Sequence, residues 1–418
     1  MSSNLYMRKI GENAKTASIS LANLNQKKRN EVLRKFCIYL KIYSKSILRE
    51  NNKDILKAKS IKDSVLKRLQ LDDNKINRMI KSTKEIIKFK DPLGKILSKW
   101  KRPNGLKIKK LSIPLGVIGV IYESRPNVTA DVAALCFKAG SAVILKGGSE
   151  AFHSNKILSS LFRRAIKKTN CNENSVQFIN KSDRKNVDYL LSKMQKYVDV
   201  IIPRGGKSLI KKIKAKSKVP IIGHLEGICH VYIHKKANLE MSIKIAKNAK
   251  MRNVSICGAA ETLLIDKACL KTHCLPILNE LVKSGCKIVA DNKIKKIFQK
   301  NIKTASVKDW DTEYLSSKIS VKSVEGIEDA INHINKHGTS HTDAIVTNDK
   351  KAATRFFLNT NSSIVIHNSS TQFADGGEFG FGAEIGISTG KLPPRGPVGI
   401  EQLTTYKYII EGKGQIRK

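Results

Sequence analysis

Short apolar runs alternating with amphipathic helical segments predict an α/β fold of mostly parallel sheets covered by helices. Two observations support this. Apolar runs end in glycine corners that lead into helices, at Lys146-Gly147-Gly148-Ser149 and at Pro203-Arg204-Gly205-Gly206. The chain is also long enough, at 418 residues with 41% hydrophobic content, to bury a real core in two or three domains of roughly 150 residues each.

Residues 13–60 read as helices, because Leu33, Phe36, Cys37, Leu40 and Ile47 recur at three- and four-residue steps. From Leu106 to Ile113 apolar and polar residues alternate, as in a half-exposed strand. A buried strand follows at Val117–Ile121, then a helix over Thr129–Ala139 closed by Gly140 in a left-handed cap. Ala142–Leu145 is a strand, and Ser149 is placed to cap the next helix, which runs past Phe162. Val198–Ile202 is a strand, followed by a helix from Lys207. Val219–Ile222 and Cys229–Ile233 are strands, Leu239–Met251 a helix, Thr262–Ile265 a strand and Cys274–Val282 a helix. Val324–His337 reads as helix, Ala344–Val346 as strand, Ala352–Leu358 as helix and Ser363–Ile366 as strand. The glycine-dense segment Gly376–Gly399 reads as a functional loop.

The 78 Lys and Arg against 35 Asp and Glu give a net charge of +43, which raises a nucleic-acid reading. The distribution argues against it. Residues 111–150 balance Arg125, Lys138 and Lys146 with Glu123, Asp131 and Glu150, and residues 251–266 and 361–400 are slightly acidic. The excess lysine lies on helical faces such as 27–45 and 207–218, without a nucleic-acid motif and with only 6% aromatics. No apolar stretch approaches the roughly 18 residues of a membrane span, and Met1–Arg8 lacks an apolar signal core. These features predict a cytoplasmic protein with no membrane and no specific nucleic-acid partner. Eight scattered cysteines without a CxxC pair argue against a disulfide framework.

Cys257, in Val254-Ser-Ile-Cys-Gly-Ala-Ala-Glu-Thr-Leu-Leu264, has small neighbours that leave room for a substrate at sulfur. From the local pattern it is either a nucleophile or a packed cysteine. Gly205-Gly206 is either a phosphate cradle on backbone N–H groups or a plain tight turn. Lys146, at a strand end, is positioned to reach a ribose or phosphate. The GxGxxG dinucleotide fingerprint is missing after the first strands. His333, His337 and His341 fall at four-residue spacing, but Gly338 interrupts that helix. Cys269, His273 and Cys274 lack a second ligand group at metal spacing. No metal site is predicted.

Several ordered blocks together resemble the gamma-glutamyl phosphate reductase family of the aldehyde dehydrogenase superfamily. They are Ile113–Thr129, Val143–Asn155, Val324–Ile345 (containing Ala330-Ile-Asn-His-Ile-Asn-Lys-His-Gly-Thr-Ser-His-Thr-Asp343), Phe379–Thr389 and Arg395–Lys407. The resemblance spans essentially the whole chain. It implies an aldehyde-dehydrogenase-like α/β fold: a Rossmann-type NADPH-binding domain at 1–100 and 114–226, an α/β catalytic domain at 227–395, and a β-strand oligomerisation arm at 101–113 and 396–418. The activity implied is NADPH-dependent reduction of L-glutamyl 5-phosphate to L-glutamate 5-semialdehyde with release of phosphate, in proline biosynthesis. The implied partners are a second copy in a dimer or tetramer and a functional link to glutamate 5-kinase.

By the same resemblance Cys257 is the nucleophile that carries a thioacyl intermediate, and Asn127 is the oxyanion-hole asparagine. The alternative reading is an asparagine that caps a helix starting near Val128. Lys146 matches the lysine at the cofactor ribose, and Arg204, Gly205 and Gly206 match the corner facing the nucleotide. Glu313 matches the glutamate near the nicotinamide ribose. Ser149 stands where many NAD-using relatives carry Glu; a carboxylate would repel the 2′-phosphate of NADP, whereas a hydroxyl accepts it. Arg125 and Arg395 are candidate anchors for the substrate's anionic groups, with surface ion pairing as the alternative reading. Glu226 stands where hydrolysing relatives keep the base that activates water, which a reductase does not require. The sequence departs from the family at Arg252-Asn253-Val254, at Gly258 and at Leu392-Pro393-Pro394. Two competitors remain at this point: an aldehyde-oxidising, hydrolysing relative dependent on Glu226, and a basic nucleic-acid-binding protein that has lost catalysis.

Overall fold

The computed structural model describes residues 3–58, 63–181, 183–299 and 302–417. The chain divides into two compact units. The first holds residues up to 223 together with 380–386 and 398–418; the second holds 224–379 and 387–397. The first break falls slightly before the boundary expected at 226/227. The stretch 380–386, expected in the catalytic domain, belongs to the first unit.

In the first unit β1 (Ile96–Lys101) and β2 (Lys107–Pro114) form an antiparallel pair. They precede β3 (Val117–Tyr122), β4 (Ala142–Gly147), β5 (Val176–Phe178) and β6 (Val200–Arg204). The last four make a parallel sheet in the order β5-β4-β3-β6. Every residue of β3 and β4 is buried, as expected where helices cover both faces of a parallel sheet. Side chains alternate between the faces. Ile118, Val120 and Tyr122 join a core containing Phe36, Phe137 and Phe162, while Val117 and Ile121 join another containing Met7, Ile10 and Leu190.

The helix after β3 starts at Pro126 rather than near Val128 or Thr129. Proline has no N–H to satisfy and its fixed φ suits a first helical position. Asn127 therefore lies inside the first turn and does not cap it. The helix ends before Gly140, whose φ of +72° suits the left-handed cap. A Cβ there would come within 2.6 Å of Leu93 Cδ1. Ser149 does not cap the next helix either: it opens a short 3-10 turn, Ser149–Ala151, and the helix begins at Phe152. The strand expected over Val219–Ile222 reduces to a single bridge of Ile221 to Ile201, because Pro220 has no N–H to extend a ladder.

The second unit contains β7 (Cys229–Ile233), β8 (Ala260–Asp266), β9 (Lys287–Ala290), β10 (Lys303–Thr304), β11 (Lys318–Val324), β12 (Thr342–Val346) and β13 (Ile364–His367). They form one sheet in the order β10-β9-β11-β8-β7-β12-β13, parallel throughout. β11 takes up Val324, which the sequence reading placed in a helix. Gly326, at φ +112°, separates β11 from the helix Ile327–His337. The predicted loop 376–399 contains two two-residue strands, β14 (Ile387–Ser388) and β15 (Gly396–Pro397).

The final strand β16 (Thr404–Glu411) returns to the first unit and pairs with β2, giving an antiparallel sheet β1-β2-β16. This sheet leaves Ile96, Leu97, Trp100, Tyr406, Tyr408 and Ile410 exposed. Among the described residues no helix is long and apolar enough to cross a membrane.

Candidate active site

In the first unit the candidate cofactor residues gather at the carboxyl edge of the sheet. The chain adds β4 and β5 on one side of β3 and then places β6 on the other. In open α/β sheets the crevice at such a reversal, outside the carboxyl ends of the strands, is the usual ligand position. Lys146 is the penultimate residue of β4 and Arg204 closes β6; Gly206 precedes a ten-residue helix, Lys207–Lys216. Lys146 is only 7% exposed. Its ammonium donates to the Gly147 carbonyl at 2.9 Å, and burial lowers its pKa more than Glu150 raises it. Gly205, Gly206 and Ser149 are exposed, and Arg204 is half-buried.

Two carboxylates occupy backbone donors in this corner. The Gly206 N–H donates to Glu123 at 2.8 Å. The Ser124 N–H and hydroxyl both donate to Glu150 at 2.7 Å. The groups at this edge are suited to anionic oxygen, and the chain's own carboxylates now fill part of that role. The Asn127 amide donates to Asp131 at 3.2 Å, one helical turn on. Burial raises the Asp131 carboxyl above the usual range, with Asn127 pulling the other way. Arg125 stands at the helix entrance, with its carbonyl accepting from Val128 N–H at 3.0 Å.

In the second unit Cys257 lies in the loop between the helix Leu239–Met251 and β8. Both ends of that loop are tied by a buried ion pair, in which the Lys250 ammonium meets Glu261 at 2.6 Å with neither side chain exposed. Burial pushes the Glu261 carboxyl up to about 7 against the pull of Lys250. The backbone beside the thiol is packed closely. A Cβ on Gly227 would sit 2.1 Å from the Cys257 carbonyl oxygen, and one on Gly258 would sit 3.1 Å from the Thr371 carbonyl. The Gly227 N–H donates to Glu313 at 2.8 Å. Glu313, singled out by resemblance for a cofactor role, thus braces the strand entrance that abuts Cys257.

Accessibility separates the cysteines. None of the eight is in a disulfide, and only Cys171 and Cys257 are partly exposed. Burial pushes the thiols of Cys37 and Cys286 up to about 11 and those of Cys269 and Cys274 up to about 12. Cys229, beside the site, donates its thiol to the Cys257 carbonyl at 3.1 Å. Burial holds it well above the ordinary thiol range. It therefore stays protonated and serves the loop's position.

Sequence reasoning missed two imidazoles. His224, His341 and Cys257 each present a ligand atom within 4.8 Å of the others, and the two rings meet edge to face at 4.9 Å. His224 Nδ1 contacts the Ile387 carbonyl at 2.7 Å. A carbonyl only accepts, so Nδ1 carries the proton. His341 is fully buried, and desolvation followed by His224 lowers its pKa well below the usual value. The His333–His337–His341 spacing does not form a cluster. The His333 and His337 rings meet at a tilt within their helix, 4.6 Å apart, whereas His341 belongs with the thiol. One signal was available in the sequence: Cys257, Gly227 and His341 all precede apolar runs that become the adjacent strands β8, β7 and β12.

Arg395 gives two of its donors to backbone, Nε to Gly390 at 3.1 Å and Nη2 to Asn361 at 2.6 Å. Glu226 is half-buried in the segment leading into β7.

Two parallel sheets, one with a glycine corner at its switch point and the other with a partly open thiol at a strand entrance, fit the class of α/β dehydrogenases. Residues 4–295 match the aldehyde dehydrogenase family, and the chain belongs to that family. Its full-length relatives mark the branch. It is 45% identical over 410 residues to the gamma-glutamyl phosphate reductase of Bartonella tribocorum, covering 98% of this chain and 100% of that one. The crystal structure of gamma-glutamyl phosphate reductase from Thermotoga maritima superposes with a TM-score of 0.96 at 37% identity, covering 99% of this chain and 100% of that one. A glyceraldehyde-3-phosphate dehydrogenase from Methanocaldococcus jannaschii, complexed with NADP, shares the fold with a TM-score of 0.69 at 18% identity, covering 99% and 95%.

Proposed function

We propose that the protein reduces L-glutamyl 5-phosphate to L-glutamate 5-semialdehyde, with NADPH as reductant and phosphate as leaving group, in the cytoplasmic synthesis of proline. Full-length similarity to gamma-glutamyl phosphate reductases supports the reaction. The observation that carries the mechanism is the placement of Cys257: a partly open thiol on a braced loop, among cysteines that are otherwise almost all buried.

The Cys257 thiolate attacks the acyl phosphate. A C–S bond forms, the C–O bond to phosphate breaks, and phosphate leaves with the electron pair and takes a proton from water. Bound NADPH supplies the hydride that brings the thioester to the oxidation level of an aldehyde. The resulting oxyanion collapses, the C–S bond breaks, and its electron pair returns to the Cys257 sulfur. Asn127 and the Cys257 N–H are the donors we assign to the oxyanion, a contribution on the order of 3 kcal/mol. Hydride resolves the thioester, so the cycle needs no deacylating water and no base at Glu226.

The donor set at the carboxyl edge of β4 and β6 fits the nucleotide. Lys146 would hold the ribose, Arg204 and the Gly205-Gly206 corner would face the phosphates, and the Ser149 hydroxyl would admit the 2′-phosphate. Glu313 would hold the nicotinamide ribose while keeping the Gly227 entrance in place. Arg125 and Arg395 are the two candidate substrate anchors; Arg395 would have to give up a backbone carbonyl to take the role. The exposed apolar side chains of β1 and β16 suit pairing with a second copy in a dimer or tetramer.

The test is the reverse reaction with glutamate 5-semialdehyde, NADP and inorganic phosphate. NADPH formation that requires phosphate supports the reductase. Acid formation without phosphate, abolished in Glu226→Gln, would point instead to a hydrolysing aldehyde dehydrogenase.

A further inference from the structure

We propose that Cys257, His224 and His341 form a binding site for a thiophilic divalent cation of the zinc class, and that occupancy removes the thiol from reaction. The donor set is one sulfur and two imidazole nitrogens, drawn from the entrances to three adjacent strands, with the ligand atoms all within 4.8 Å of one another. In a tetrahedral zinc site with bonds of about 2.3 Å to sulfur and about 2.0 Å to nitrogen, ligand atoms lie roughly 3.5 Å apart. A contraction of about 1 Å, within reach of small side-chain rotations, closes the present arrangement onto a cation.

Two independent observations favour the imidazoles as ligands. His224 Nδ1 donates to the Ile387 carbonyl, so its lone pair lies at Nε2. A backbone carbonyl on the far nitrogen is the usual support of a metal-binding histidine. His341 Nδ1 is engaged by the Thr342 hydroxyl at 2.9 Å and the Cys229 sulfur at 3.6 Å. Its Nε2 is buried without a partner among the described residues, which is costly for a polar atom unless something binds there. An S,N,N set selects zinc, cobalt or cadmium over magnesium or calcium. Three protein ligands leave a fourth position for water. Binding releases the Cys257 proton to solvent and ties up its lone pair.

Binding itself does not depend on the reading of Cys257 as nucleophile; only the inhibition does. The experiment is titration of the full-length protein with cobalt(II), without nucleotide, followed by thiolate-to-cobalt charge-transfer absorption and by metal content after gel filtration. One cobalt per chain with a thiolate band is expected. The band should vanish in Cys257→Ser, and affinity should fall about tenfold or more in His224→Ala and His341→Gln. His224 is only half-buried, so its variant keeps the test valid if the buried His341 substitution fails to fold. An absent thiolate band, or unchanged affinity in His224→Ala, overturns the proposal. Zinc should inhibit turnover at the same occupancy, and chelation should restore it. Cobalt bound at Cys257 in an enzyme that zinc leaves fully active would keep the site and count against the nucleophile.

Discussion

The two parallel sheets present their candidate chemistry at opposite edges. In the first unit Lys146, Arg204 and Gly205-Gly206 lie at the carboxyl ends of β4 and β6, on the crevice where the strand order reverses. In the second, Cys257, Gly227 and His341 lie at the amino ends of β8, β7 and β12. The physical difference follows from what each edge connects to. Carboxyl ends feed helix N-termini, whose backbone N–H groups suit phosphates. Amino ends receive loops from helix C-termini, which offer no such donors, so side chains must shape the surroundings of the thiol. The first edge therefore combines backbone N–H groups and glycine with Lys146, Arg204 and two carboxylates, and the second combines imidazole, sulfur and a buried ion pair.

The largest expected effect is at the sulfur. Cys257→Ala should lower turnover by about a thousandfold or more with unchanged folding, measured as NADP reduction in the phosphate-dependent direction. Next is the pair that ties the loop. Lys250→Met removes the cation from the buried Glu261 carboxyl, which keeps the Leu315 N–H, so stability in denaturant should drop by about 3–5 kcal/mol. The double variant Lys250→Met, Glu261→Leu should recover most of that loss. Gly227→Ala forces the Cys257 backbone to move; a fall of about 100-fold in kcat is expected, with a melting temperature that changes far less. The smallest effect belongs to the carboxyl edge. Ser149→Glu should raise KM for NADPH about tenfold relative to NADH and leave Cys257 alkylation unchanged. An effect of Ser149→Glu on thiol reactivity, or of Gly227→Ala on nucleotide preference, would break the contrast between the two edges.

The elements were legible wherever apolar periodicity was strong. Leu239–Met251 and Cys229–Ile233 appear with the same bounds in the structure. The failures have local causes. Pro126 started a helix earlier than the periodicity suggested, and Pro220 denied a strand its donor. β11 was hidden because polar Ser320, Lys322 and Ser323 break its apolar run. At the site, Cys257 and the Gly205-Gly206 corner carry signatures in chain order. His224 carries none and His341 only its place before the apolar run of β12, because the crossovers that bring the strand entrances together separate them in sequence. The Gly227 contact was invisible for the same reason.

In the proposed mechanism the glutamyl group resides on Cys257 during the reaction. Incubating the enzyme with glutamate 5-semialdehyde and NADP while withholding phosphate should let the acyl-enzyme accumulate, and acid quenching with peptide mass spectrometry would locate it. A glutamyl thioester is expected on the peptide containing Cys257, discharged when phosphate is added. An adduct on any other side chain, or phosphate-dependent turnover without any acyl-enzyme, would contradict that mechanism.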